Sequence, residues 1–179
     1  MAGGSELLRE QWAASSARLG RIVAGLTDEE YFWEPCDGCW SVRPRPGSEG
    51  GWVMDYPDVH PDPPPVTTIG WRLLHIAHGN QIYWEHSFGP ATRTFLDLDI
   101  PGTAQAAADE LVASQEPVAE ALAGTDDAAL GAPVPTHFGE TWPAGRVFRT
   151  LLDEQVHHGA EISLLRDLYR NRATLGRPR

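Results

Sequence analysis

Glu154 and His158 stand four residues apart in "RTLLDEQVHHGAEISLLRDLY", residues 149–169. Around them Val147, Leu151, Ile162, Leu165 and Tyr169 recur at steps of three or four, an apolar stripe of helical period. The two polar residues thus occupy positions where the period asks for leucines, with Cβ atoms about 5–6 Å apart on one face. A carboxylate carried into a dry core without a partner is too costly to stay ionised. A metal ion, an arginine from another helix or a water-filled cavity has to compensate it. The stretch "WRLLHIAH", residues 71–78, offers His75 on a second stripe, Trp71–His75–His78–Ile82. Two imidazoles and a carboxylate are the donor types of catalytic zinc sites that keep a position open for water or substrate. They also suit Ni²⁺, Fe²⁺ or Mn²⁺, so the donor set does not choose the metal. The bland alternative for each histidine is a core ring bonded to a neighbour or to a backbone carbonyl.

Other residues sit close to this set. His78, one turn beyond His75, is a candidate acid–base residue and an alternative ligand. Glu161, three residues after His158, could orient that ring through its free nitrogen or handle a proton. His157 points about 100° away and reads as a neighbour of the site or as surface. Gly159 costs up to about 1 kcal/mol in mid-helix relative to alanine, which close approach of a neighbouring helix would explain. Arg166 suits a structural ion pair, with Asp167 or with another helix.

Four helical segments must position these groups. They run from about Ser5 to Ala24, Thr67 to His86, Thr103 to Ala123 and Pro143 to Arg170. Ser5 and Thr67 or Thr68 are the expected N-caps, and Pro117 is expected to kink or restart the third helix. "GLTDEEYFWEP" follows the first helix and can hold one further helical turn. Residues 35–66 are dense in Pro and Gly and carry Trp40, Trp52 and Tyr56. That many rings suit an irregular insertion folded onto the body as a cover better than a linker. Few strand signals are present. The expectation is one all-α domain over residues 1–179, a four-helix bundle with a long Pro/Gly-rich loop between its first and second helices.

The chain of 179 residues carries 25 acidic and 14 basic side chains, a net charge of −11. With no clustered basic face, nucleic-acid binding is not expected. No signal peptide or membrane-length apolar run is visible, so the expected location is cytoplasmic. Cys36 and Cys39 form a lone C-x2-C in a loop, without the second pair a structural zinc needs, and read as incidental. Trp40, Trp52 and Trp142 are expected to pack the loops.

The motifs "WRLLHIAH" and "EQVHHGAE" resemble those of the DinB-like superfamily of metal-dependent proteins. In that family a Trp precedes the first metal histidine by four residues, and two further ligands lie four apart ahead of a Gly. Where most members have a histidine at the first of those two positions this chain has Glu154, as the mycothiol-dependent maleylpyruvate isomerase branch does. The resemblance implies a helical bundle with one divalent ion, Zn²⁺ first in order, on His75, Glu154 and His158. It also implies mycothiol or another low-molecular-weight thiol as cofactor, a small-molecule substrate, and transferase or isomerase chemistry. A non-catalytic stress-response module that binds a metal or small molecule on the same fold is the alternative. Bundles of this kind often dimerise through an apolar helix face, and a homodimer stays open. The long Pro-rich loop departs from the family and should reshape the substrate entrance.

Overall fold

The computed structural model describes residues 3–57, 59 and 61–175. The expected loop 35–66 therefore includes two positions, 58 and 60, that lie outside the described residues, as do the two ends of the expected domain. Five α-helices are present among the described residues: α1 (Gly4–Val23), α2 (Asp28–Tyr31), α3 (Ile69–Ser87), α4 (Ala104–Ala123) and α5 (Ala144–Arg170). The protein is mostly helical, and among the described residues no helix is long and apolar enough to cross a membrane.

Local chemistry explains most helix starts. The Thr68 and Thr103 hydroxyls each accept a backbone N–H three residues on, from Trp71 and Ala106. Thr27 and Glu30 cap each other's backbone reciprocally at the start of α2. The first helix departs from expectation: Ser5 lies inside α1, and its backbone N–H donates to Asp127 Oδ1 at 2.7 Å. A carboxylate distant in sequence thus satisfies the orphan donor that a local cap was expected to cover. Nor does Pro117 divide α4, which runs through it to Ala123.

The apolar stripes meet as their periods require. α1 packs against α4 and α5, and α3 packs against the same two helices. One cluster joins Leu19, Leu73, Leu74, Ile76, Leu111 and Ile162 with the fully buried Tyr31. A second joins Trp12, Val118, Val147, Phe148 and Leu151. Each such side chain removed from water contributes roughly 1.5–3 kcal/mol.

Two short hairpins are present where the sequence shows few strand signals, one of them inside the expected insertion. β1 (Val42–Pro44) pairs antiparallel with β2 (Trp52–Met54), and β3 (Pro133–Pro135) with β4 (Thr141–Pro143). Each strand is three residues long and carries or faces proline, so neither alternation nor length announces it. Gly47 and Gly50, at φ of 73° and 75°, make the turn of the first hairpin. That hairpin lies on the body: Val42 is in the core, and the Trp52 ring stacks on Phe32 at 5.1 Å.

Arg166 pairs across the fold and not with Asp167. Its guanidinium donates to both Glu30 carboxylate oxygens, at 3.1 and 2.9 Å, and to the backbone carbonyls of Ile22, Ala24 and Gly25. One buried fork therefore ties α5 to the end of α1 and to α2.

Candidate metal centre

Glu154 Oε2 lies 3.0 Å from His158 Nε2 and 3.1 Å from His75 Nε2. Two imidazole nitrogens from different helices thus converge on one carboxylate oxygen. The three residues form a group that could hold a metal ion. Helix α5 supplies Glu154 and His158 one turn apart, and α3 supplies His75 from across the α3–α5 contact. The rings of His75 and His158 stand edge to face, 4.8 Å between centroids.

The site is less dry than the α5 periodicity suggests. His158 is 9% exposed in its side chain, but His75 and Glu154 are 30% and 41% exposed. The group sits at the rim of the core, closed behind His158 and open in front of Glu154. Among the described residues no arginine forms an ion pair with Glu154, whose partners are His75 and His158. Its carboxyl is held well below the usual carboxylate range by the hydrogen bond to His158 and then by that to His75, against a smaller opposing effect of burial.

Glu161 completes the back of the site. Its Oε2 accepts from His158 Nδ1 at 2.6 Å and from Arg72 Nε at 2.8 Å. The Glu161 carboxylate favours the proton on Nδ1, while Arg72 Nη1 approaches the same nitrogen at 3.3 Å. In the protonated ring Nε2 donates the hydrogen bond that lowers Glu154, whereas in the neutral ring with its proton on Nδ1 it faces that oxygen with a lone pair. Two acceptors at 3.0 Å repel unless a proton or a metal ion lies between them. This donor set therefore suits a divalent cation.

Two residues brace the site, the motif tryptophan and an arginine to which the sequence gives no part. Trp71 lies flat against His75, 5.0 Å between centroids and 11° between planes, and its Nε1 donates to Asp55 O at 2.6 Å. Tyr56 and Trp40 pack on the Trp71 ring in turn. Arg72, beside it, carries the ion pair to Glu161. Both precede His75 by a helical turn, and that spacing is the signal that could have found them.

The remaining candidates separate. His78 is not among the residues whose ligand atoms converge. Its ring is buried against Glu110 and a hydrogen bond to the Asp99 backbone, and its Nε2 has no partner. Burial pushes it below its ordinary imidazole value, with the Glu110 carboxylate pulling the other way. His157 is mostly exposed, its Nε2 3.5 Å from Glu161 Oε1. A second group, His157–His158–Glu161, has ligand atoms close enough for an ion, but the Arg72 guanidinium already occupies Glu161 and opposes a cation there. Tyr83 lies within electrostatic reach: burial first, then the Glu154 charge, push its phenol up, and Arg146 opposes them.

The chain is thus a mostly helical protein with an open His–Glu–His cluster between facing helices that could hold a metal ion. Residues 8–162 match the family model of the DinB superfamily, and the chain belongs to that superfamily. Among solved structures it is similar to a DinB-like protein from Bacillus cereus, with a TM-score of 0.62, 18% identity and 91% of each chain covered. At that identity the likeness establishes the shared fold. No curated protein matches the chain.

Proposed function

We infer that this protein is a divalent-metal-dependent enzyme of the thiol-dependent S-transferase or isomerase class. The four long helices are read as a four-helix bundle, with His75, Glu154 and His158 holding one ion, Zn²⁺ first in order. The observation that carries the reading is the convergence of both Nε2 atoms on a single Glu154 oxygen, with Glu161 Oε2 2.6 Å from Nδ1 on the far side of the His158 ring. The thiol, mycothiol or a relative, and the cytoplasmic setting rest on the sequence resemblance and on Glu154 as the first of the paired ligands.

A bound divalent ion would supply Lewis acidity, lowering the pKa of a coordinated thiol so that it reacts as thiolate. The chain's own residues arrange the rest. Glu161 and Arg72 hold His158 with Nε2 forward, and Trp71 fixes the plane of His75. The exposure of Glu154 and His75 leaves the front of the site open to a small electrophile. Proton handling falls to Glu161, beside the site, more than to His78, whose ring is sealed against α4.

The test is elemental analysis of the purified chain, then thiol titration of the cobalt-loaded form. About one divalent ion per chain is expected, lost in the His158→Ala, Glu154→Gln double variant. Mycothiol or glutathione should raise a thiolate-to-cobalt absorption band. Stoichiometric metal in the double variant would remove the ligand assignment, and a cobalt form blind to every thiol would leave a non-catalytic binding module.

A further inference from the structure

Cys36 and Cys39 are the one chemistry-bearing motif that the metal-site reading leaves unused. Gly38, at φ 75°, lets the chain turn back between them and brings the two Sγ atoms to 3.5 Å. The Cys39 thiol donates to the Cys36 carbonyl at 2.9 Å, which closes the turn. The two thiols are unlike: Cys36 is exposed and Cys39 is buried. Neither belongs to a converging ligand group among the described residues, so the pair does not form a metal site there. A disulfide needs the sulfurs at about 2.05 Å, a closure of roughly 1.5 Å that draws the Cys36–Cys39 turn tighter.

We propose that Cys36 and Cys39 are a reversible dithiol–disulfide site, oxidised by low-molecular-weight disulfides, whose state is transmitted to His75 through Trp40 and Trp71. The Cys36 thiolate attacks one sulfur of the small disulfide and expels one thiolate. The Cys39 thiol then loses its proton and displaces the second thiolate from Cys36, closing the protein disulfide. Two protein thiols are oxidised and one small disulfide is reduced to two thiols, so electrons and protons balance. Burial, with smaller effects from Cys36 itself and Glu34, pushes the Cys39 thiol up to about 11. Cys39 therefore waits as a thiol while the exposed Cys36 reacts first.

The route to the metal centre is short. Trp40 follows Cys39 directly, receives backbone support from Val66 O at 3.0 Å, and accepts from Thr68 N at 2.9 Å. Thr68 is the cap of α3, the helix that carries His75. The Trp40 ring lies 5.6 Å from that of Trp71, which stacks on His75. Arg43 adds a second tie, donating to Cys39 O and Asp55 Oδ2, while the Asp55 carbonyl accepts from Trp71 Nε1. Drawing the sulfurs together moves the Cys39–Trp40 backbone, and the ring against His75 moves with it.

The exchange chemistry stands without the metal; only its transmission to His75 rests on the function proposed above. The test exposes the full chain, metal-free and zinc-loaded, to oxidised glutathione, then alkylates and weighs it. Wild type should become lighter by two hydrogens and resist alkylation in both forms, and a reductant should reverse this. Cys39→Ser should stop at a single glutathionyl adduct, and Cys36→Ser should stay unmodified. Free thiols in oxidised wild type, or an adduct that persists on Cys36, would overturn the site. Zinc competition with a chelator should then give different affinities for the oxidised and reduced chains, with the Cys36→Ser, Cys39→Ser double variant indifferent to oxidant. Equal affinities despite a formed disulfide would overturn the transmission, whereas no zinc binding by any form would count against the metal-site reading alone.

Discussion

His158 Nδ1 and Glu161 Oε2 lie 2.6 Å apart, and that contact leaves Nε2 facing Glu154 Oε2 at 3.0 Å. Without Glu161 the neutral ring is free to take either tautomer, and half of its chemistry points the wrong way.

Glu161→Gln should therefore weaken metal affinity about 10–100-fold while leaving the helices folded. Arg72→Met should act in the same direction, because Glu161 loses the guanidinium that holds it at 2.8 Å. Chelator competition reads both affinities, and circular dichroism checks the fold. Wild-type affinity in both variants would show that Glu154 and His75 orient the ligand set without help.

Loading the site should raise the melting temperature of the wild-type chain. A ligand that binds only the folded state adds about 2.7 kcal/mol at a hundred times its dissociation constant. Differential scanning calorimetry with Zn²⁺, and again after a chelator, should show that shift in wild type. His75→Ala should show little of it.

The buried pair Glu30–Arg166 predicts a strong stability effect far from the site. Arg166→Met leaves a carboxylate that is only 6% exposed without its partner, which should cost about 3 kcal/mol in urea unfolding. Changing Glu30 to Gln in the same chain should recover part of the loss. Burial works to raise the Glu30 carboxyl, but the Arg166 guanidinium and the Thr27 backbone bond override it and hold the group below the usual range. A carboxyl depressed in the folded state contributes stability above its ordinary value of about 4.3 and loses it as pH falls below that. The acid limb of the stability curve should accordingly be shallower in the double variant than in wild type.

Two glycines should respond oppositely to alanine. A Cβ at Gly70 would lie 2.8 Å from the ring of Tyr31, which is fully buried and hydrogen-bonded to Pro101 O. Gly70→Ala should cost about 1–3 kcal/mol by overpacking. At Gly159 the nearest atom beyond the helix is Leu19 Cδ1 at 3.4 Å, so the added methyl is accommodated. Gly159→Ala should be neutral or stabilise by up to about 1 kcal/mol. Urea midpoints for the two variants decide the matter.

Sequence by itself carried what is local. Helix extents follow from apolar period and threonine caps, because hydrogen bonds within a helix span only a few residues. The adjacency of Glu154 and His158, and the place of His75 one turn after Trp71, follow from the same periodicity. Tertiary structure decided whatever joins distant segments. Asp127 caps α1 across 122 positions, and Glu30 meets Arg166 across 136. Arg72 reaches Glu161 from another helix, and two three-residue hairpins gain their hydrogen bonds only from a partner strand. The exposure of Glu154 belongs here too, since a stripe tells which side faces inward but not how far the neighbouring helix covers it. The reach of Glu161 to His158 was legible in their spacing of three, but the Arg72 that holds Glu161 comes from α3, and no spacing along the chain encodes that.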